Sequence, residues 1–179
     1  ERPEHWVHEV VSVRAAYGEE RLPIHLFLPK NAEPPYQAVV YFPSSSAYFL
    51  RDSTHPSFPL AYFIPESGRA LIYPIYKRTY ERQVAVHGPN DRRDVTIQIG
   101  KDLRRTVDFL ETREDIDSDR LVYYGLSWGA SLGPLLTAVE PRCAASMLVA
   151  GGLHRYPQDW PPVAVPQNFA PRSTVPTLM

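Results

Sequence analysis

The sequence predicts a doubly wound, mostly parallel α/β sheet entered through an antiparallel hairpin. Three observations carry that prediction. After two extended segments, strand-like and helix-like stretches follow one another in the order β-α-β-α-β-α-β, and right-handed crossovers turn that order into a parallel sheet with helices on both faces. The later strands are continuous apolar runs such as Ala38-Val39-Val40-Tyr41-Phe42, as expected where both faces are covered. One stretch carries a single apolar stripe at helical spacing.

Val7 to Val13 and Leu22 to Leu28 are extended segments flanking Tyr17-Gly18-Glu19-Glu20, the pattern of a hairpin. Gln37 to Phe42 is the next strand, stopped by Pro43-Ser44-Ser45-Ser46. Pro56, Pro59 and Pro65 leave room only for a short helix around Leu60 to Ile64. Ala70 to Tyr73 is a buried strand stopped by Pro74, and a polar loop from Lys77 to Arg93 follows. Val95, Ile99, Leu103, Val107 and Leu110 form the helical stripe, with Asp91 or Asp94 as cap. Gly100 in that helix costs about 1 kcal/mol against alanine, which close packing on a strand would justify. Leu121 to Tyr124 is a strand, Trp128 to Val139 a helix, and Ala144 to Ala150 a strand ending at Gly151-Gly152. A Pro-rich loop over 153–173 precedes Val175-Pro176-Thr177-Leu178-Met179, which reads as the start of a further buried strand.

The chain has 179 residues, enough for one domain (1–179) that buries roughly 70% of its unfolded surface. The final strand, with nothing after it, suggests a domain truncated at its C-terminus, with later strands and helices missing, and the opening at Glu1 without Met leaves no export signal to read. An uncovered edge on the 144–150 strand would then invite pairing with other chains. Net charge is −1, which removes the electrostatic case for nucleic acid or anionic membrane, and no apolar stretch is long enough to span a bilayer. The lone Cys143 allows no internal disulfide and no metal cluster, and with no signal-peptide pattern it favours a cytoplasmic location. The 19 prolines are about twice the usual share, which implies long shaped loops.

In a doubly wound sheet the active site lies at the carboxyl ends of the strands. There, directly after the 121–124 strand and before a helix, stands Gly125-Leu126-Ser127-Trp128-Gly129. This is G-x-S-x-G in the context its mechanics require: a strained turn lifts the serine hydroxyl above the sheet, and the glycines let strand and helix close on each other. The helix start adds free N–H groups and a positive dipole end suited to an oxyanion. In a chain of this composition the pentapeptide is expected by chance only roughly 0.03 times.

On these residues the chain resembles the α/β-hydrolases, and within them the dienelactone-hydrolase and acetyl-xylan-esterase-like serine esterases. The likeness runs over nearly the whole chain: the Tyr17-Gly18 hairpin, Val40-Tyr41-Phe42-Pro43, Gly125 to Gly129, and Asn168-Phe169-Ala170-Pro171. It implies an esterase that attacks a small-molecule ester through Ser127, needs no cofactor, and uses Gly125 and Gly129 for the elbow. It also implies oxyanion donors from the backbone of Trp128 and of Ser45, whose neighbours are Ser44 and Ser46; a plain polar turn is the other reading of that loop. The family order is Ser, then Asp or Glu, then His. Here only Glu140, His154 and Asp159 follow Ser127. Asp159 comes after the histidine, and Glu140 lies a helix length from the serine. The family's acid and histidine would fall after Met179, so the chain as given is expected to be inactive. A peptidase of the same fold and a non-catalytic binding domain are the rival readings.

Other residues carry weaker signals. His154 follows a strand end and could reach the site, or be a loop histidine. His5 and His8 have ligand spacing but no further partner. Arg78, Arg82, Arg92 and Arg93 could meet a substrate carboxylate, but a solvated, mutually paired loop with Glu81, Asp91 and Asp94 is the simpler reading. Tyr156, Trp160 and Phe169 could wall the site or be covered by further chain. Cys143 reads as a small buried residue.

Overall fold

A computed structural model describes residues 4–179; Glu1 lies outside them. The strands are β1 (Trp6–Arg14), β2 (Arg21–Pro29), β3 (Tyr36–Phe42), β4 (Ala70–Pro74), β5 (Ile116–Leu126), β6 (Ala145–Val149) and β7 (Thr177–Leu178). They form one sheet in the order β1-β2-β4-β3-β5-β6-β7. β1 and β2 are an antiparallel hairpin turned at Gly18 (φ 53), and β2 pairs antiparallel with β4. Every later pairing is parallel. This is the predicted architecture. β7 pairs with β6 at Ser146↔Thr177 and Met147↔Leu178, so part of the edge expected to be uncovered is taken. Val175 before it is buried, but Thr177 and Leu178 are exposed, and the strand itself is not the buried one the sequence predicts.

The continuous apolar runs are explained by a core on each face. In β3, Ala38, Val40 and Phe42 face one core while Val39 and Tyr41 face the other; β4 divides the same way, with Ala70 and Ile72 opposite Leu71 and Tyr73. The first core is covered by α2 (Pro89–Leu110) and α3 (Trp128–Val139), the second by α1 (Phe63–Glu66) and the aromatic residues around Phe58. All five stripe residues of α2 are buried. Each contributes roughly 1.5–3 kcal/mol by leaving water. Cys143 joins the same core, and burial pushes its thiol up to about 12.

The start of α2 differs from the sequence reading. The helix begins at Pro89, so its first turn comes out of the supposed loop, and Gly88 holds the cap position. Proline suits the first helical position because its missing N–H is unpaired there anyway. Asp91 works from inside, its carboxylate accepting the His87 N–H at 2.9 Å, while Asp94 pairs with Arg93. Gly100 is not pressed on a strand. A Cβ there would meet only Val139 of α3, at 3.7 Å.

The stretch from Lys77 to Arg93 after β4 is solvated in its later part, where Arg93 pairs with Asp94 at the surface, but not in its first part. Arg82 is buried, with its guanidinium on the fully buried Asp102 of α2 (2.7 Å) and on the Ile75 carbonyl (2.8 Å). Asp102 further accepts the Tyr17 hydroxyl at 2.9 Å and the Lys77 N–H at 2.8 Å, which ties hairpin, loop and helix together. Arg82 also donates to Tyr17, and Lys77 pairs with Glu20. Glu81 turns the other way and holds Ser53.

His25 is buried beside His8, whose Nε2 lies 2.9 Å from its Nδ1. Burial and then His8 push His25 down to about 4. Unfolding lets it take a proton near 6.5, so its neutral form stabilises the fold fully above that pH, and the contribution is lost as pH falls from about 6.5 through 4. The loss should total on the order of 3 kcal/mol, and His25→Gln should flatten that part of the denaturation-versus-pH curve. An unchanged curve would contradict the assignment. Separately, Gly100→Ala should raise stability by about 0.5–1 kcal/mol in urea unfolding, because the space is open and helical alanine is favoured.

Candidate active site

β3 and β5 are neighbours, and the chain leaves their ends in opposite directions: β3 leads to β4 on one side, β5 to β6 on the other. Their paired ends, Phe42↔Gly125, therefore open the crevice where ligands of such sheets bind. Ser127 leaves β5 two residues later and Ser45 leaves β3 three residues later.

Ser127 sits between β5 and α3 with φ 52 and ψ −101, a sparsely populated positive-φ backbone that costs an L-residue roughly 1–3 kcal/mol. Its N–H is held by the Val149 carbonyl of β6 at 2.8 Å. Its carbonyl accepts two bonds from Ser131 one helical turn on, from N–H at 2.8 Å and from the hydroxyl at 3.1 Å. The side chain is half-buried, and among the described residues nothing hydrogen-bonds its hydroxyl. The flanking glycines are steric necessities. A Cβ on Gly125 would stand 2.5 Å from the Gly129 carbonyl carbon, and one on Gly129 would stand 2.5 Å from the Phe42 carbonyl oxygen.

Trp128 opens α3, so its N–H has no intrahelical acceptor. The next N–H, of Gly129, is taken by the Pro43 carbonyl at 3.2 Å. Ser45 is the first residue of a 3₁₀ turn, Ser45–Tyr48, and is exposed. The turn is closed by Ala47 N–H on the Ser44 carbonyl (3.2 Å), with the Ser44 and Ser46 hydroxyls 2.6 Å apart. Tyr48 at its end packs against Trp128, ring centres 4.2 Å apart and planes tilted by 56°, which brings the two loops together. Gln83, which sequence reasoning passed over, donates to the Tyr48 carbonyl at 2.7 Å and so holds the turn from below. No sequence pattern marks it, because its partner is a backbone atom 35 residues away.

The remaining candidates separate. His154 Nε2 meets Ser131 Oγ at 3.0 Å, not Ser127. Glu140 is buried and engaged by Arg142 Nε at 2.8 Å. Asp159 lies in an exposed turn. His8 meets His25, His5 lies 3.6 Å from Glu4, and among the described residues no three potential ligands gather for a metal. Of the arginines, Arg82 is buried and Arg93 is paired, while Arg78 stacks on Tyr48 (4.6 Å) and Arg92 on Trp160 (3.9 Å). Trp160, against Tyr156, lines a cavity of about 50 Å³ with Trp128; Phe169 instead lines another, of about 220 Å³, with Gly100 of α2 and Leu135 and Val139 of α3. Among the described residues no helix is long and apolar enough to cross a membrane.

Gly129→Ala should destabilise the chain by on the order of 3 kcal/mol, since backbone must move to admit the methyl group. A thermal transition within a degree of the unaltered chain would contradict the packing at Phe42.

No protein-family profile and no curated protein matches the chain by sequence. Solved structures do match. A protein assigned as a dipeptidyl aminopeptidase IV from Bacteroides ovatus superposes with a TM-score of 0.74 at 16% identity, over 97% of this chain and 27% of its own. One assigned as a dienelactone hydrolase from Klebsiella pneumoniae gives 0.66 at 20%, over 96% and 71%. A cold-adapted esterase from an Arctic intertidal metagenomic library gives 0.67 at 18%, over 95% and 69%. The chain thus spans about a quarter of the length of the aminopeptidase and about seven tenths of the two shorter proteins. With this sheet and these superpositions, the chain has the α/β-hydrolase fold.

Proposed function

We propose that this chain carries the nucleophile and oxyanion donors of a serine hydrolase that cleaves small carboxylic esters. The observation that supports this most is Ser127 itself: a half-buried hydroxyl on a positive-φ residue, between two positions that admit only glycine, at the sheet's switch point. In the reaction, Ser127 Oγ attacks the ester carbonyl and its proton passes to a histidine. The tetrahedral oxyanion accepts hydrogen bonds from the Trp128 and Ser45 N–H groups. Collapse expels the alcohol, and water then releases the acid from the acyl-enzyme.

In this reading the proton acceptor is a histidine other than His154, whose Nε2 is engaged by Ser131, and the acid is other than Glu140, held by Arg142. The resemblance puts both groups after β7, and the proposal requires them there. An ester carbonyl polarised by two N–H donors needs no metal or cofactor for this chemistry.

The test is a fluorophosphonate probe on the full-length protein. It should label Ser127 covalently and Ser127→Ala not at all, with hydrolysis of a short acyl ester falling about 10⁴–10⁶-fold in the variant. Labelling that survives the substitution would overturn the assignment. Cleavage of an aminoacyl anilide in preference to the ester would replace the esterase reading with a peptidase one.

A further inference from the structure

We propose that His154 is a positioning residue for Ser127, acting through Ser131; this rests on the reading of Ser127 as nucleophile. The exit of β6 folds back over the start of α3. Val149 gives its carbonyl to the Ser127 N–H, Ala150 follows in a left-handed conformation (φ 54), and Gly151 lies so close to α3 that a Cβ would stand 2.4 Å from that of Ala130. His154 then returns to the helix and brings Nε2 to 3.0 Å from Ser131 Oγ, which is itself 3.1 Å from the Ser127 carbonyl.

The direction of these bonds follows from proton counting. Ser131 has one hydroxyl proton. When that proton goes to the Ser127 carbonyl, the oxygen can only accept from the histidine, so Nε2 carries the hydrogen. The chain reads Nε2–H to Oγ–H to O=C. It gives the Ser127 carbonyl a second donor beside the Ser131 N–H, while Val149 holds the Ser127 N–H. Both peptide planes beside the reactive hydroxyl are thereby fixed. The segment cannot drift from the far side either, because Gln167 donates to the His154 carbonyl. A strained residue persists only where its surroundings over-determine it, and His154 supplies the outermost of those restraints.

The test compares the rate constant for fluorophosphonate labelling of the unaltered full-length protein with that of four variants. His154→Phe keeps a ring beside Tyr156 but removes the donor, His154→Gln keeps a donor, Ser131→Ala removes the relay, and the last form combines Phe and Ala. The Phe and Ala variants should each label about tenfold more slowly, the loss that one hydrogen bond represents, and the combination no more slowly than either alone. His154→Gln should stay within about threefold of the unaltered protein, a rescue that bulk packing would not produce. Wild-type rates in His154→Phe, or a Gln variant as slow as Phe, would overturn the inference while leaving Ser127 as nucleophile. A loss near 10⁴ in both His154 variants would make His154 the proton acceptor and overturn its positioning role. An unaltered protein that does not label at all would overturn the reading of Ser127 and this inference with it.

Discussion

The contact on which the site depends is the backbone-to-backbone approach of α3 to the end of β3. Gly129 lies on Phe42 closely enough that a single methyl group would enter its carbonyl oxygen, and Gly125 lies on Gly129 in the same way. With no room between strand and helix, the chain must reverse in one residue, and Ser127 takes the positive-φ conformation that does so. The strain of roughly 1–3 kcal/mol is offset by hydrogen bonds of about 0.5–1.5 kcal/mol each: the Ser127 N–H donating to Val149, its carbonyl accepting from Ser131, and the Tyr123 hydroxyl donating to the Gly129 carbonyl at 2.7 Å. Among the described residues the hydroxyl of Ser127 is what remains unengaged.

The opposite wall of the crevice rests on charge. Arg82 and Asp102 are both removed from water, and a pair of that kind lost on one side costs about 3–5 kcal/mol because the survivor is left uncompensated. What the pair does here is geometric. It pulls the segment after β4 inward, across Arg78 (φ 74) and Tyr80 (φ 47), and so sets Gln83 beneath the Ser45 turn. One buried carboxylate on α2 thereby reaches, through a guanidinium and an amide, the loop that faces Trp128.

Legibility followed the range of the interactions. The strands and long helices were readable because their signals are local: continuous apolar runs for β3 to β5, a five-residue stripe for α2, and a strand-turn-helix around Ser127. Pro89 misled because proline begins helices as readily as it marks loops, and the neighbour that decides between them, Asp91 reaching back to His87, is a side-chain geometry. Arg82 misled more deeply. In sequence it stands among charges that pair naturally with it, yet its partners are 20 and 65 residues away, and only the packing of hairpin, loop and helix makes burial of a guanidinium tolerable.

By itself the sequence determined the class of fold, the strand order's handed logic, and the position where a serine must be strained, because glycine at two places and apolar runs at four are requirements of backbone packing that leave marks in composition. The tertiary structure alone decided which polar groups meet. His154 went to Ser131 instead of Ser127, Glu140 to Arg142, and Trp160 came to share a cavity with Trp128 while Phe169 did not. The reason is physical: apolar burial needs only a period and a face, whereas a hydrogen bond needs two particular atoms within about 3 Å, and sequence separation does not encode that distance.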